Sequence, residues 1–249
     1  MPVLYTHRAL SKIQARVGIR PRPASHLYLR WTTIAASALV LVGLGAYLYL
    51  RPTTTTLTAE SSQQVYRLPD GTMVTLAPHA TLSYKDDCRK VEMTGKAYFA
   101  IHHDARHPFT ITDNDYTIRD IGTHLQVEES ENGIRLTVLE GAASLSSTRA
   151  SSTAIAVRAG MSATLPHGES TPHMDKKPDP NTAAWATHTF HFADTPLTDV
   201  LHTLSSFYHV RLSADDTDKR LTADFDTSSL NSIITVIEQT LDVKIKKGN

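Results

Sequence analysis

The sequence predicts a membrane-anchored chain: a single N-terminal transmembrane helix, an all-β domain, then a small α+β domain of two β-α-β repeats. Three observations carry that reading. Residues 31–50 hold no charge, short alternating apolar segments run from 65 to 165, and a 33-residue repeat lies within 185–249.

The first 30 residues hold six cations (Arg8, Lys12, Arg16, Arg20, Arg22, Arg30) and no Asp or Glu. Behind them runs WTTIAASALVLVGLGAYLYL, 31–50. At 1.5 Å of rise per residue, a helix of that length just crosses a bilayer core. Trp31, Tyr47 and Tyr49 stand near its ends, where amphipathic aromatics favour the interface. Positive charge ahead of the run keeps that side in the cytoplasm, so the expected topology is single-pass with the C-terminus outside. Two other readings compete. A cleaved signal peptide, with Gly43 and Gly45 as the small-residue site, is opposed by the long basic region and by apolar residues continuing to Leu50. A buried helix of a soluble domain is opposed by the absence of any polar face.

Residues 51–64 are rich in Pro, Thr and Ser and read as an extended spacer. From 65 to 165 the pairs Val74/Leu76, Val91/Met93, Phe109/Ile111, Leu125/Val127, Leu136/Val138 and Ile155/Val157 alternate with polar residues, as half-buried strands do. Pro69-Asp70-Gly71 and Glu131-Asn132-Gly133 are turn sequences, the second placed as a hairpin. Many short strands at close spacing point to a sandwich, a barrel or a stacked β-roll. Residues 166–184, with four prolines, read as a second linker. In 185–249 the helical stripe Leu197, Val200, Leu201, Leu204, Tyr208 recurs as Leu230, Ile233, Ile234, Ile237, Leu241. Phe190 and Phe192 recur as Ala223 and Phe225, so each unit reads as strand, helix, strand.

Chemistry is sparse. Beyond the basic stub, 19 Lys and Arg face 25 Asp and Glu, a formal charge of −6, which is not a nucleic-acid footprint. Cys88, the lone cysteine, can form no intrachain disulfide and has no base placed beside it by sequence. His102, His103, Asp104 and His107 form the most metal-like cluster, but neighbours on a strand point to opposite faces. Asp86-Asp87 and Asp215-Asp216 read as solvated turns. No metal, cofactor or catalytic residue is expected. One chemical candidate remains, Gly122-Thr123, where a strained peptide would permit acyl transfer to the Thr hydroxyl. The alternative is that Gly122 supplies freedom in φ at a strand edge.

The segments LPDGTMVTL, RKVEMTGKAYFAI, HPFTI, IGTHLQV, VLEGAASL and AGMSATL follow one another in an order that resembles the periplasmic domain of FecR-type anti-sigma regulators. FHFADTPLTDVLHTLSSFYHVRL and its repeat resemble the companion C-terminal domain of Bacteroidetes-type members, itself similar to secretin and TonB-receptor signalling domains. The resemblance implies an inner-membrane, non-enzymatic regulator. It would receive a signal from the periplasmic signalling domain of a TonB-dependent outer-membrane receptor and control an extracytoplasmic-function sigma factor. Leu10, Ile13 and Val17 form a short apolar stripe that is the candidate sigma contact. A stub of 30 residues builds no core of its own, so a periplasmic sensing module without anti-sigma output is the alternative. Lys96 stands where the family commonly carries an acidic residue and reads as a tolerated surface change.

Overall fold

The computed structural model describes residues 26–49, 53–85, 87–120, 122–149, 153–176 and 179–248. The chain divides into two units, Met1–Pro52 and Thr53–Asn249. In the first, α1 (His26–Tyr49) is a continuous 24-residue helix. Leu39, Val40, Leu41 and Val42 are each 68–73 % exposed, so consecutive apolar side chains point outward all round it. Among the described residues no helix is long and apolar enough to cross a membrane. The side chains described in α1 are those of 36–47, about 18 Å of rise, and the rest of the run at 31–50 lies outside them.

The second unit opens with fourteen strands that alternate between two seven-stranded sheets. One sheet holds, in spatial order, β1 (Thr55–Thr58), β4 (Thr81–Tyr84), β5 (Lys90–Thr94), β7 (Phe109–Thr112), β8 (Tyr116–Asp120), β11 (Ala142–Ser147) and β12 (Ile155–Arg158). The other holds β2 (Gln64–Arg67), β3 (Met73–Leu76), β6 (Lys96–Ala100), β9 (His124–Ser130), β10 (Gly133–Glu140), β13 (Met161–Pro166) and β14 (His173–Met174). In both, spatial order follows chain order, and every neighbouring pair is antiparallel except β5 with β7.

The predicted alternation is what fills the space between the sheets. Val74, Leu76, Val91, Met93, Phe109, Ile111, Leu125, Val127, Leu136, Val138 and Val157 are all no more than 2 % exposed and share one core. Ile155 is half-buried at its margin. The Glu131-Asn132 turn joins β9 to β10 as the sequence suggested, with Ser130 facing Gly133. Gly133 has φ +130°, and a Cβ there would lie 2.3 Å from the Leu165 carbonyl oxygen, so no other residue fits.

Both expected linkers carry structure. Residues 51–64 supply β1, which pairs with β4, and Ala59, which is fully buried in the core. Residues 166–184 supply β14 on the edge of β13, a 3₁₀ turn (Pro180–Ala183), and the start of α2 (Ala184–Thr187). Polar, proline-rich sequence is ordered here by hydrogen bonds beside the burial of Ala183 and Ala184: Asp175 accepts from Thr164 Oγ1 (2.9 Å) and pairs with Arg135 (3.2 Å).

The C-terminal part comprises β15 (Thr189–Pro196), α3 (Leu197–Tyr208), β16 (Arg211–Ala214), β17 (Arg220–Asp226), α4 (Leu230–Leu241) and β18 (Ile245–Gly248). The two strands of one unit do not pair with each other. β15 pairs with β17 and β16 with β18, both antiparallel. Phe190 faces Phe225 and Phe192 faces Ala223, a register that a 33-residue exchange maps onto itself. The repeat is therefore a two-fold relation between interlocked units. Both helices stop on a left-handed residue at equivalent positions, His209 (φ 54°) and Asp242 (φ 51°). Phe190, Phe192, Leu197, Leu204 and Ile237 centre the second core, with Tyr208, Ile234 and Leu241 of the predicted stripe half-buried around it.

Because Leu197 is fully buried and Leu230 is 8 % exposed, replacing Leu197 by Ala is expected to cost roughly 2–5 kcal/mol. The same change at Leu230 falls at the lower end of that range. Urea midpoints of the two variants check this, and loss confined to one site would contradict equivalent packing.

Candidate functional site

Two places in the second unit concentrate polar groups: a loop node around Arg89 that borders Gly122-Thr123, and the junction between the β sheets and the C-terminal repeat.

At the node, the turn after β2 folds back so that Thr72 N–H and Oγ1 both donate to Asp70 (2.9 Å each). Arg89, 7 % exposed, pairs with Asp70 through Nη1 at 2.8 Å and donates to the carbonyls of His102 (3.2 Å) and His107. Its guanidinium lies over the Phe109 ring, 5.7 Å from the centroid. His102 N–H donates to Thr72 Oγ1 (3.1 Å). One cation thus ties the PDGT turn, the start of β5 and the loop 101–108 together. Cys88, beside it, is buried, and burial pushes its thiol above the ordinary value, which opposes nucleophilic use.

The far side of that loop packs on the Gly-Thr pair. Gly122 has φ +139°, and a Cβ there would lie 2.7 Å from His103 Cα, Cβ and Nδ1. Gly122 N–H donates to Asp120 Oδ2 at 2.8 Å. Thr123 is 3 % exposed; its carbonyl accepts from Ile101 N–H (2.9 Å), while its hydroxyl has no hydrogen-bond partner among the described residues. A Cβ on Gly141 would come within 2.5 Å of Thr123 Cγ2, so the pair is enclosed from two sides by backbone that only glycine permits. The histidine cluster is dispersed around this geometry. His103 lies on Gly122, while His107 pairs through Nδ1 with Asp104 at 2.8 Å.

The junction was not foreseen. Gln126 sits between core residues Leu125 and Val127 on β9 and faces the opposite side of the sheet, yet it is 1 % exposed. Its amide is used at both ends: Nε2 donates to Thr182 Oγ1 (3.2 Å) and Oε1 accepts from Trp185 Nε1 (2.8 Å). Lys96 lies over the Trp185 ring, 5.5 Å from the centroid, and pairs with Glu128 at 3.8 Å. Burial pulls the Lys96 ammonium below its ordinary value. Lys96 is thus one side of a clasp rather than a neutral surface change. Nearby, Thr137 and Ser162 hydroxyls pair at 2.9 Å, buried on the same face. Asn181 closes the junction from the other side: its Oδ1 accepts from His191 N–H (2.7 Å) and its Nδ2 donates to His191 C=O (3.1 Å). No periodic signal marks Gln126 or Asn181, since a polar residue on a strand or in a proline-rich stretch reads as solvent-facing.

Leu10, Ile13 and Val17, the candidate sigma contacts, lie outside the described residues.

Two family models match the chain: FecR protein over residues 54–144, and FecR, C-terminal, over residues 189–249. Among solved structures, two crystal structures of a candidate anti-sigma factor from Parabacteroides distasonis are similar to it, each at 19 % identity and a TM-score of 0.49. They cover 79 % and 78 % of this chain and 96 % and 95 % of their own. No curated protein matches.

Proposed function

We propose, from the premise that this chain belongs to the FecR family of sigma regulators, that it relays a signal from a TonB-dependent outer-membrane receptor to an extracytoplasmic-function sigma factor. On this reading residues 31–50 anchor it in the inner membrane, with residues 1–30 in the cytoplasm and 51–249 in the periplasm. The six-to-zero charge asymmetry ahead of Trp31 supports that orientation. So do the apolar side chains of Leu39, Val40, Leu41 and Val42 in α1, which are exposed among the described residues. The observation that carries the relay is the clasp. A partner seated on the C-terminal repeat meets a body joined to the β sheets through Trp185, Gln126 and Lys96. Nothing in the reading requires a cofactor, metal or enzymatic step.

A sigma-dependent reporter in the native host tests it. Deleting residues 185–249 is expected to abolish induction by the receptor's ligand, and the purified chain should capture the receptor's periplasmic signalling domain only when those residues are present. Alkaline phosphatase fused after Asn249 should be active. A reporter indifferent to loss of the whole chain would sink the reading. Capture of the receptor without any binding to the sigma factor would move the protein to a sensing module alone.

A second reading concerns maturation: we propose that Gly122-Thr123 is a scission point. The buried Thr123 hydroxyl, which has no hydrogen-bond partner among the described residues, beside a glycine at φ +139° favours it. In such a step Thr123 Oγ adds to the Gly122 carbonyl carbon, the amide C–N bond breaks, and an ester with a free Thr123 amine results. Water then hydrolyses the ester. Intact mass of the purified chain is expected to show a fragment beginning at Thr123, retained in Thr123→Ser and absent in Thr123→Ala. Uncleaved protein in all three would exclude it.

A further inference from the structure

The two-fold repeat leaves four outer strand edges, and on three of them a side chain of the chain itself caps an outward main-chain group. Which edges face outward follows from register. Thr227 N–H donates to His188 C=O (3.1 Å), so in the β15–β17 ribbon residues 188/227, 190/225 and 192/223 bond inward. The N–H and C=O of His191 on β15, and of Thr222, Asp224 and Asp226 on β17, therefore point away from the partner strand. In the β16–β18 ribbon, Asp215 N–H donates to Lys244 C=O (3.2 Å), which directs Leu212 and Ile245 outward by the same rule.

On three of the four edges a side chain takes at least one of these outward groups. Asn181 takes both the N–H and the C=O of His191. Ser205 Oγ accepts from Leu212 N–H at 3.1 Å, and Glu238 Oε1 accepts from Ile245 N–H at 2.7 Å. Ser205 and Glu238 are themselves equivalent under the repeat, so those two edges are closed in the same way from the two helices. The β15–β17 ribbon breaks the symmetry. The residue equivalent to His191 is Asp224, and the residue equivalent to Asn181 is Ala214, which has no side-chain hydrogen-bonding group. β17 pairs with β15 alone, and its outer edge has no closing side chain among the described residues.

We infer that the outer edge of β17 is a strand-addition site for an extended, basic segment of another protein. Main-chain groups of Thr222, Asp224 and Asp226 supply the ladder. Charge selects the partner: residues 215–226 hold five aspartates against one lysine and one arginine. Arg220 is already engaged by Asp194 at 2.7 Å and Lys219 by Asp216 at 3.8 Å. A second copy of β17 is the wrong occupant, because antiparallel self-pairing sets Asp224 and Asp226 of the two copies on one face. The inference rests on the reading that the C-terminal repeat is where a partner docks.

The test uses the full chain in detergent micelles and, as probe, an acetylated and amidated alternating Lys-Val octapeptide. Saturable binding is expected, with amide exchange slowed at Thr222, Asp224 and Asp226 and unchanged in β16 and β18. Asp224→Pro removes the outward N–H together with the carboxylate that pairs with His191 and should weaken binding at least tenfold, whereas Asp224→Ala, which loses the carboxylate alone, should lose less. Asp224→Lys keeps the backbone group; it should weaken the Lys-Val peptide and improve a Glu-Val one. Equal binding of a peptide N-methylated at alternate residues, equal binding of the Glu-Val peptide to the unaltered chain, or protection on another strand would overturn the inference. So would no saturation in the millimolar range, or concentration-dependent protection of β17 without peptide, which would mark a second copy as occupant. An Asp224→Pro chain that loses the peptide yet keeps reporter induction would leave the site standing and remove it from the relay.

Discussion

Replacing Arg89 by Met is expected to destabilise the β domain by roughly 3–5 kcal/mol, the range for breaking one side of a buried ion pair. The side chains of Arg89 and Asp70 are only 9 % and 12 % exposed. Without the guanidinium, the Asp70 carboxylate loses its ion-pair partner in a site with little water, and the carbonyls of His102 and His107 lose their donor. Met fills similar volume over Phe109, so the loss measured is electrostatic rather than a cavity. Urea denaturation checks it, and the double change with Asp70→Asn separates the causes. Removing both charges should recover part of the loss, because the larger share of the cost is the stranded carboxylate. A single variant within 1 kcal/mol of the unaltered chain would show that the loop 101–108 is held by something else.

Truncating Trp185 to Ala is expected to cost about 3 kcal/mol, the low end for a Trp because the ring is only half-buried. It should also change the form of unfolding. With Gln126 left buried and unpaired and Lys96 released, the C-terminal repeat and the β sheets should melt in two steps where the unaltered chain melts in one. Calorimetry reads the number of transitions directly. Gln126→Leu is the milder companion, since it removes the hydrogen bonds without removing the ring, and should soften the coupling while keeping a single transition. A Trp185→Ala chain that still melts in one step would mean that the strap through Asn181 suffices by itself.

What could be read in the sequence followed from periodicity. Strands packed on one face announce themselves by alternation, and Val74/Leu76 through Val157 were legible for that reason. Helices with a single apolar stripe do the same at a period of 3.6, and their 33-residue recurrence placed Leu197 and Leu230 in equivalent roles. What stayed hidden was order created by polar pairing. Asn181 and Gln126 are buried, and Asp175 half-buried, through partners 10 to 59 positions away, and no local pattern distinguishes them from solvent-facing residues. Arg89 is invisible for the same reason: its significance lies in Asp70, nineteen positions away. The repeat foretold two β-α-β units but not that each would lend its strands to the other, because register between strands is a tertiary choice.

The monotonic strand order of both sheets bears on how such a chain comes to be assembled. Each strand's neighbour on one side always precedes it in the chain, so the sheets grow by accretion at a single advancing rim, hairpin after hairpin. No strand has to wait for a distant C-terminal partner to close a barrel, and the loop-closure entropy at each addition stays small. The domain can therefore fold vectorially as it emerges from a ribosome or a translocon, remaining exposed only at the rim. In one sheet that rim is closed last, by β14, after which Trp185 comes down over Gln126 in the middle of the same sheet. A chain interrupted before that point would present bare strand edges and a half-open core, the features by which quality-control proteases recognise unfinished protein.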